Sequence, residues 1–304
     1  MTTISPKGIT VESDCDFFNI TQRFAKSKWF FRGQSEAQWK LETTFERKFR
    51  PQTAKEAQIL EWSTIQTFKK DAIRYFDYGR SIEWLATMQH YGAPTRLLDF
   101  TESIMVALYF AMENAVEDQD ACIWGLRQDL IWNNQKYFQY KKFNEDDDPG
   151  DRVAKEMFVN HNLYERNKQS LDFADALICN ESPVTSAGES ASSTRGVIPI
   201  YPLISNERLS AQSGLFLMLR DFSASFEENL QGSMMAPQHE FQELQLRYDV
   251  EKYGFDGQTV VKLVFPWKFV LKMPQLLKNS NITPKTLFPG MDGIGRAIRY
   301  FPYG

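Results

Sequence analysis

Between Thr95 and Ala115 the chain reads TRLLDFTESIMVALYFAMENA, and no other stretch restricts the fold as much. Thr95 to Phe100 read as a short strand or extended turn. Ile104, Leu108, Ala111 and Ala115 then recur at helical spacing, so the helix they define is expected to be buried. Asp99 followed by Glu102 has the spacing of a capping box, with Asp in place of the usual Ser or Thr. A strand that runs straight into a buried helix asks for a fold containing both.

The rest of the chain agrees. Phe17 to Phe24 has a helical apolar pattern and WFFRG follows as a strand. Ala54 to Tyr78 predicts a long helix with Ile59, Trp62, Ile65, Phe68, Ile73 and Phe76 on one apolar face, ended by Gly79. Ser81 is placed to cap IEWLATMQHY, which runs into Gly92 and Pro94. ACIWGL, VIPIYPLI, ERLSAQSGLFLML and the alternating, β-branched QTVVKLVFP predict strands. The tail ITPKTLFPGMDGIGRAIRYF predicts a turn and short helices. Helices separate the strands before Ala121 and strands dominate after it, which gives an α+β fold. The expected organisation is one elaborated domain over 1–304. Residues 129–196 are an insertion around the acidic EDDDPGD, ending in a mobile, Ser-rich loop.

Composition narrows the function classes. No apolar run in the 304 residues reaches membrane-spanning length, and MTTISPKGIT lacks the features of a signal peptide, so a cytoplasmic protein without a membrane partner is expected. Cys15, Cys122 and Cys179 are odd in number and far apart, as are His90, His161 and His239. Neither set has metal-ligand or disulfide spacing, so no metal is expected. A net charge of −4 argues against a wholly basic nucleic-acid binder but leaves room for a local groove.

Three segments carry candidate chemistry. In WFFRGQ, Arg32 stands behind three aromatic residues, and a guanidinium there needs a partner. The partner is either a carboxylate, with Asp99 or Glu102 the candidates, or a ligand phosphate matched to its planar donors. Gly33 lets a ligand or another backbone approach closely. HYGAPTRLLDFT crowds His90, Tyr91, Arg96, Asp99 and Thr101 between two helices. It is either a connector in which Asp99 caps a helix and pairs with Arg96, or a cleft wall beside an anion-favouring helix start. In ERLSAQSGLF, Arg208, Ser210, Gln212 and Gly214 alternate as one strand face does, either a solvent face or one where glycine leaves room for a ligand. Glu240, Glu243 and Asp292 read as exposed charges or turn residues. No GxxxxGK[ST], GxSxG or HExxH occurs.

WFFRGQ, HYGAPTRLLDFTESIMVALYFA, RLSAQSGLF and LFPGMDGIG together resemble the FRG domain family, named for the tripeptide at Phe31 to Gly33, over about Trp29 to Ile298. A more distant resemblance is to the ADP-ribosyltransferases. Those enzymes carry a first-strand arginine that contacts NAD, matched by Arg32. They also carry a Ser/Thr strand end before a helix, matched by Thr101 or Ser103, and a glutamate on a later strand. Here that later segment reads Gln212-Ser213-Gly214, so glycine stands where the glutamate is expected. Either another acid (Asp99, Glu102, Glu240 or Asp292) takes its place or the site binds NAD without turnover.

The resemblance implies an ADP-ribosyltransferase-like mixed sheet core with helical insertions, and an NAD-consuming toxin or effector of bacterial anti-phage defence. The acceptor would be RNA or protein, and an antitoxin protein would neutralise the activity. Arg32, Asp99, Thr101 and Gln212 are the expected catalytic set. Arg32, Gly33, Gln34, His90, Tyr91, Arg96, Phe100, Arg208 and Phe216 are expected to hold NAD. Arg32 and Arg96 would take the phosphates, and Tyr91, Phe100 and Phe216 would stack. The rival expectation is a non-catalytic nucleotide- or nucleic-acid-binding sensor. A nuclease or other hydrolase ranks third, since no compact carboxylate cluster is evident.

Overall fold

A computed structural model describes residues 7–51, 53–129, 131–132, 163–179, 195–202, 207–234 and 259–300. Its strands are β1 (Lys7–Thr10), β2 (Trp29–Gln34), β3 (Leu97–Thr101), β4 (Ala121–Arg127), β5 (Val197–Ile200), β6 (Gly214–Leu219) and β7 (Val260–Phe265). They form one mixed sheet in the order β1-β7-β4-β2-β3-β6-β5, with helices against it, as an α+β reading requires. β1 and β7 run parallel and the other pairs antiparallel. Six-residue β2 pairs with β4 along its whole length, and β3 does the same with β6. Between β2 and β3, however, the ladder closes at a single register pair, Phe31 opposite Thr101. The sheet therefore has a seam down its middle.

The helices are α1 (Asp14–Phe24), α2 (Thr44–Phe49), α3 (Ala54–Ala72), α4 (Ser81–His90), α5 (Ile104–Glu113), α6 (Leu163–Ile178), α7 (Glu207–Ala211), α8 (Phe226–Met234), α9 (Trp267–Val270), α10 (Met273–Asn279), α11 (Pro284–Leu287) and α12 (Met291–Tyr300). One apolar cluster packs α1, α5 and the C-terminal helices on the β1–β2 half of the sheet. A second packs α3, α4 and α6 on β3, β5 and β6. A third, including Phe30, Leu98, Phe100, Leu217 and Phe226, takes the alternate residues of the strands and so covers the opposite face. None of the described helices is long and apolar enough to cross a membrane.

Several local expectations are corrected. Asp99 is a strand residue and caps nothing; Ser103 is the N-cap of α5, its hydroxyl accepting from the Val106 amide. Arg80, not Ser81, occupies the N-cap position of α4. The cap itself is the Asp175 carboxylate of α6, which accepts from the Ser81 and Ile82 amides at 2.5 and 3.2 Å. The helix begun at Ala54 ends at Ala72; Ile65 of the expected face is buried, but Ile59, Trp62 and Ile73 are exposed, because the buried side continues through Ala57 and Glu61 instead. ERLSAQSG is not a strand face. It forms α7 and a turn through Ser213 at φ 46°, and β6 begins only at Gly214. Most of the 129–196 insertion, including the Ser-rich stretch up to residue 194, lies outside the described residues, as do Glu240 and Glu243.

Candidate functional site

A cavity of about 650 Å³ opens over the seam, where the α5 and α4 clusters part. Phe31, Gly33, Asp99, Thr101, Gln212, Gly214 and Phe216 line it from the sheet and the turn before β6. Phe110, Glu113 and Asn114 line it from α5, and Glu83, Thr87, Gln89 and His90 from α4. Arg32, Gln34, Trp39, Tyr91, Phe100 and Arg208 complete its walls. All the expected site residues except Arg96 thus meet in one place.

Arg32 answers the question its position raised. Its Nη1 donates to the Asp99 main-chain oxygen across the seam at 2.9 Å, rather than to a carboxylate. Its Nε is buried with no hydrogen-bond partner among the described residues. Burial holds this guanidinium below its ordinary pKa, nearby Arg47 adds to the depression, and Asp99 offsets part of it. Glu102, the other candidate partner, accepts instead from Tyr201 Oη at 2.6 Å and Gln128 Nε2 at 3.1 Å.

Arg208 is the second cation of the cavity. It lies over the Phe288 ring at 4.7 Å and has no carboxylate partner among the described residues. Burial and the neighbouring Arg296 lower its pKa, and Asp99 again works in the other direction. Both guanidinium groups therefore feel the same carboxylate. The Asp99 side chain is exposed to the cavity, and its Oδ2 accepts from Gln89 Nε2 at 2.7 Å. His90 is held below its ordinary pKa by burial first and Arg208 second.

Other members of the expected set have structural duties. Arg96 is no phosphate ligand: it is buried, donates through both Nε and Nη2 to the two carboxylate oxygens of buried Glu61, and stacks on Phe222. A forked pair of this kind uses the donors a phosphate would need. The Thr101 hydroxyl donates to the Gln212 main-chain oxygen at 2.7 Å and accepts from the Ser103 amide at 3.0 Å, pinning the end of β3. Gln212 donates through Nε2 to the Leu287 oxygen, and the Gln34 amide is spent on Trp124, Cys122 and the Lys40 oxygen. Gly33 admits backbone rather than ligand, since a Cβ there would lie 1.9 Å from the Ala107 oxygen of α5. Gly214 leaves no vacancy either, because Leu209 fills the space its Cβ would take.

Gln89, Trp39, Glu83 and Glu113 went unread in the sequence. Gln89 adjoins the His90–Tyr91 pair and shares its segment with Asp99, and that proximity was the available signal. Trp39 is 48% exposed, unusual for so large an aromatic group, yet nothing in its local spacing marks it. Among the described residues, no three His, Cys, Asp or Glu side chains gather as metal ligands would.

The family comparison falls on the same residues. No curated protein and no solved structure matches the chain. The FRG domain family model matches residues 27–120, a span from just before β2 to the residue preceding β4. It is narrower than the span from Trp29 to Ile298 over which the sequence resembles the family, and it contains Arg32, Gln89 and Asp99 but neither Arg208 nor Gln212. On this match, the chain carries an FRG domain.

Proposed function

We propose that the cavity binds NAD as a substrate and that the protein transfers ADP-ribose from it to an acceptor, RNA or protein. One observation carries the reading: two guanidinium groups without carboxylate partners among the described residues, Arg32 and Arg208, flank the exposed Asp99 carboxylate in a single cavity. Its volume of about 650 Å³ falls within the range of small-molecule sites. The arginines supply donors for a diphosphate. Tyr91 and Trp39, both exposed at the cavity, supply faces for rings.

The reaction breaks the glycosidic bond between the ribose C1′ and the nicotinamide nitrogen. Nicotinamide leaves with the bonding electron pair, and an acceptor nucleophile then bonds to C1′ and loses its proton. The ribose becomes cationic on the way, and the Asp99 carboxylate is the group that stabilises that charge in place of the absent strand glutamate. The wider reading, a bacterial anti-phage effector restrained by an antitoxin protein, rests on the resemblance to ADP-ribosyltransferases alone.

Incubation with nicotinamide-labelled NAD is expected to release nicotinamide. Arg32→Met should weaken NAD binding by about 10- to 100-fold, the worth of a charge-assisted hydrogen bond. A wild type that shows neither heat of binding nor nicotinamide release would refute the proposal. A second reading, binding without turnover, is favoured by the engagement of Thr101 and Gln212 with main-chain groups. Binding heat without nicotinamide release would select it.

A further inference from the structure

The segment from Gln89 to Asp99 holds a chain of hydrogen bonds that the proposed chemistry has not yet used. The Thr95 hydroxyl accepts from the Leu97 amide at 3.2 Å and donates to Gln89 Oε1 at 2.5 Å. An amide that accepts at its oxygen presents its nitrogen at the other end, and Gln89 Nε2 meets Asp99 Oδ2 at 2.7 Å. Turning the amide over would set its oxygen against the carboxylate, acceptor against acceptor, so the chain has one direction.

The anchor of this chain is firm. Thr95 is buried, its amide donates to Thr44 Oγ1 at 3.0 Å, and its carbonyl accepts from the Phe45 amide at 3.1 Å. Those partners open α2, which a reciprocal Thr43–Glu46 cap fixes in turn. At the far end Arg32 holds the Asp99 main-chain oxygen. Both the backbone and one side-chain oxygen of Asp99 are therefore tied, and no described protein group takes Oδ1.

Resting on the reading of Asp99 as the acid of the site, we infer that Gln89 and Thr95 are positioning residues that fix the Asp99 carboxylate, with Oδ2 tied and Oδ1 offered to the ligand. The group that meets Oδ1 is then a hydroxyl donor or a developing cation. A carboxylate held this way needs no reorganisation when charge appears, which is where such a group gains its effect. Among the described residues, Arg32 from β2 and Arg208 from α7 are charged groups that act on it. The arrangement also explains why Gln89, Thr95 and Asp99 lie so close in sequence: they form one working unit.

The test uses the full chain with NAD as probe and nicotinamide release as readout. Gln89→Leu is expected to lower kcat by about 10- to 100-fold while KM changes less than about threefold, as for other outer-shell supports. Thr95→Val should behave alike, and Thr95→Ser, which keeps the hydroxyl, should retain the wild-type rate. Gln89→Glu puts a second carboxylate on Asp99, so the acid limb of the pH–rate profile should move to higher pH.

Wild-type kcat in Gln89→Leu and an unmoved pH profile in Gln89→Glu, with Asp99→Asn inactive, would overturn the inference. If Thr95→Val does not fold, Gln89→Leu and Gln89→Glu carry the test, since residue 89 is only half-buried. A wild type that neither binds nor consumes NAD removes the NAD reading alone. Ligand-free crystal structures of wild type and Gln89→Leu then decide. An Asp99 carboxylate in the same orientation in both overturns the inference, and a reoriented one in the variant supports it.

Discussion

Replacing Gly33 with alanine separates two explanations for the glycine that follows Arg32. If the glycine makes room for a ligand, Gly33→Ala should fold normally and bind poorly. The structure gives it another duty, because the added methyl would stand 1.9 Å from the Ala107 oxygen and 2.6 Å from the Ala111 nitrogen of α5. Ordinary contact begins near 3.4 Å, so α5 must retreat by about 1.5 Å. That helix is buried through Val106, Ala107, Leu108, Tyr109 and Ala111 and has little room to move. Overpacking costs about 1–3 kcal/mol, and a clash with backbone belongs at the upper end. Alanine's advantage over glycine in backbone entropy returns at most about 1 kcal/mol. The net loss is about 2 kcal/mol, and at roughly 2–4 °C per kcal/mol for a large domain, Tm should fall by roughly 4–8 °C. Thermal unfolding followed by circular dichroism measures it, with urea unfolding as a check. A Gly33→Ala protein melting within about 1 °C of wild type would refute the packing argument.

Removing one member of the buried pair, as in Arg96→Met, should cost about 3–5 kcal/mol in urea unfolding, because Glu61 is left charged and alone in the core. The double variant Arg96→Met with Glu61→Leu should recover most of that loss. His90 is held below its ordinary value of about 6.5, so the unfolded chain takes up the proton first. Its contribution to stability is therefore whole above about pH 6.5 and is lost as pH falls through that value toward the folded pKa. His90→Gln should lose less stability than wild type between about pH 7.5 and about pH 5, read from urea midpoints. Burial pushes the Cys122 thiol up to about 11, so iodoacetamide should modify exposed Cys15 in the native protein and reach Cys122 only after unfolding.

What the sequence disclosed and what it hid divide along physical lines. Strand alternation and the apolar run of α5 are local properties, and WFFRGQ, LLDFT and VVKLVF appear as strands within a residue or two of their expected limits. The partners of Arg96 and of the α4 N-terminus are Glu61 and Asp175, 35 and 94 residues from Arg96 and Ser81, and no local spacing can show them. Arg96 was read as a ligand for that reason. ERLSAQSG misled differently, because alternate polar residues also suit one short helical turn, and the fold of Leu209 over Gly214 decides the matter. The residues gathered around Asp99 were legible as a crowded segment. Which of them faces the cavity and which braces it depended on hydrogen bonds that composition does not encode.

The tripeptide Phe31-Arg32-Gly33 also limits how such a chain can be edited. On β2 the aromatic ring and the glycine share the side under α5, while Arg32 projects from the other. Insertion or loss of one residue just before Phe31 would exchange the two sides. A charge would then be thrust beneath a helix that has no room even for a methyl, and the contact of Arg32 with the Asp99 main-chain oxygen would be lost. Point substitutions here can be compensated one by one, but a frame slip cannot. Natural variation in length around this strand is therefore expected in its flanking loops and not within the three residues themselves.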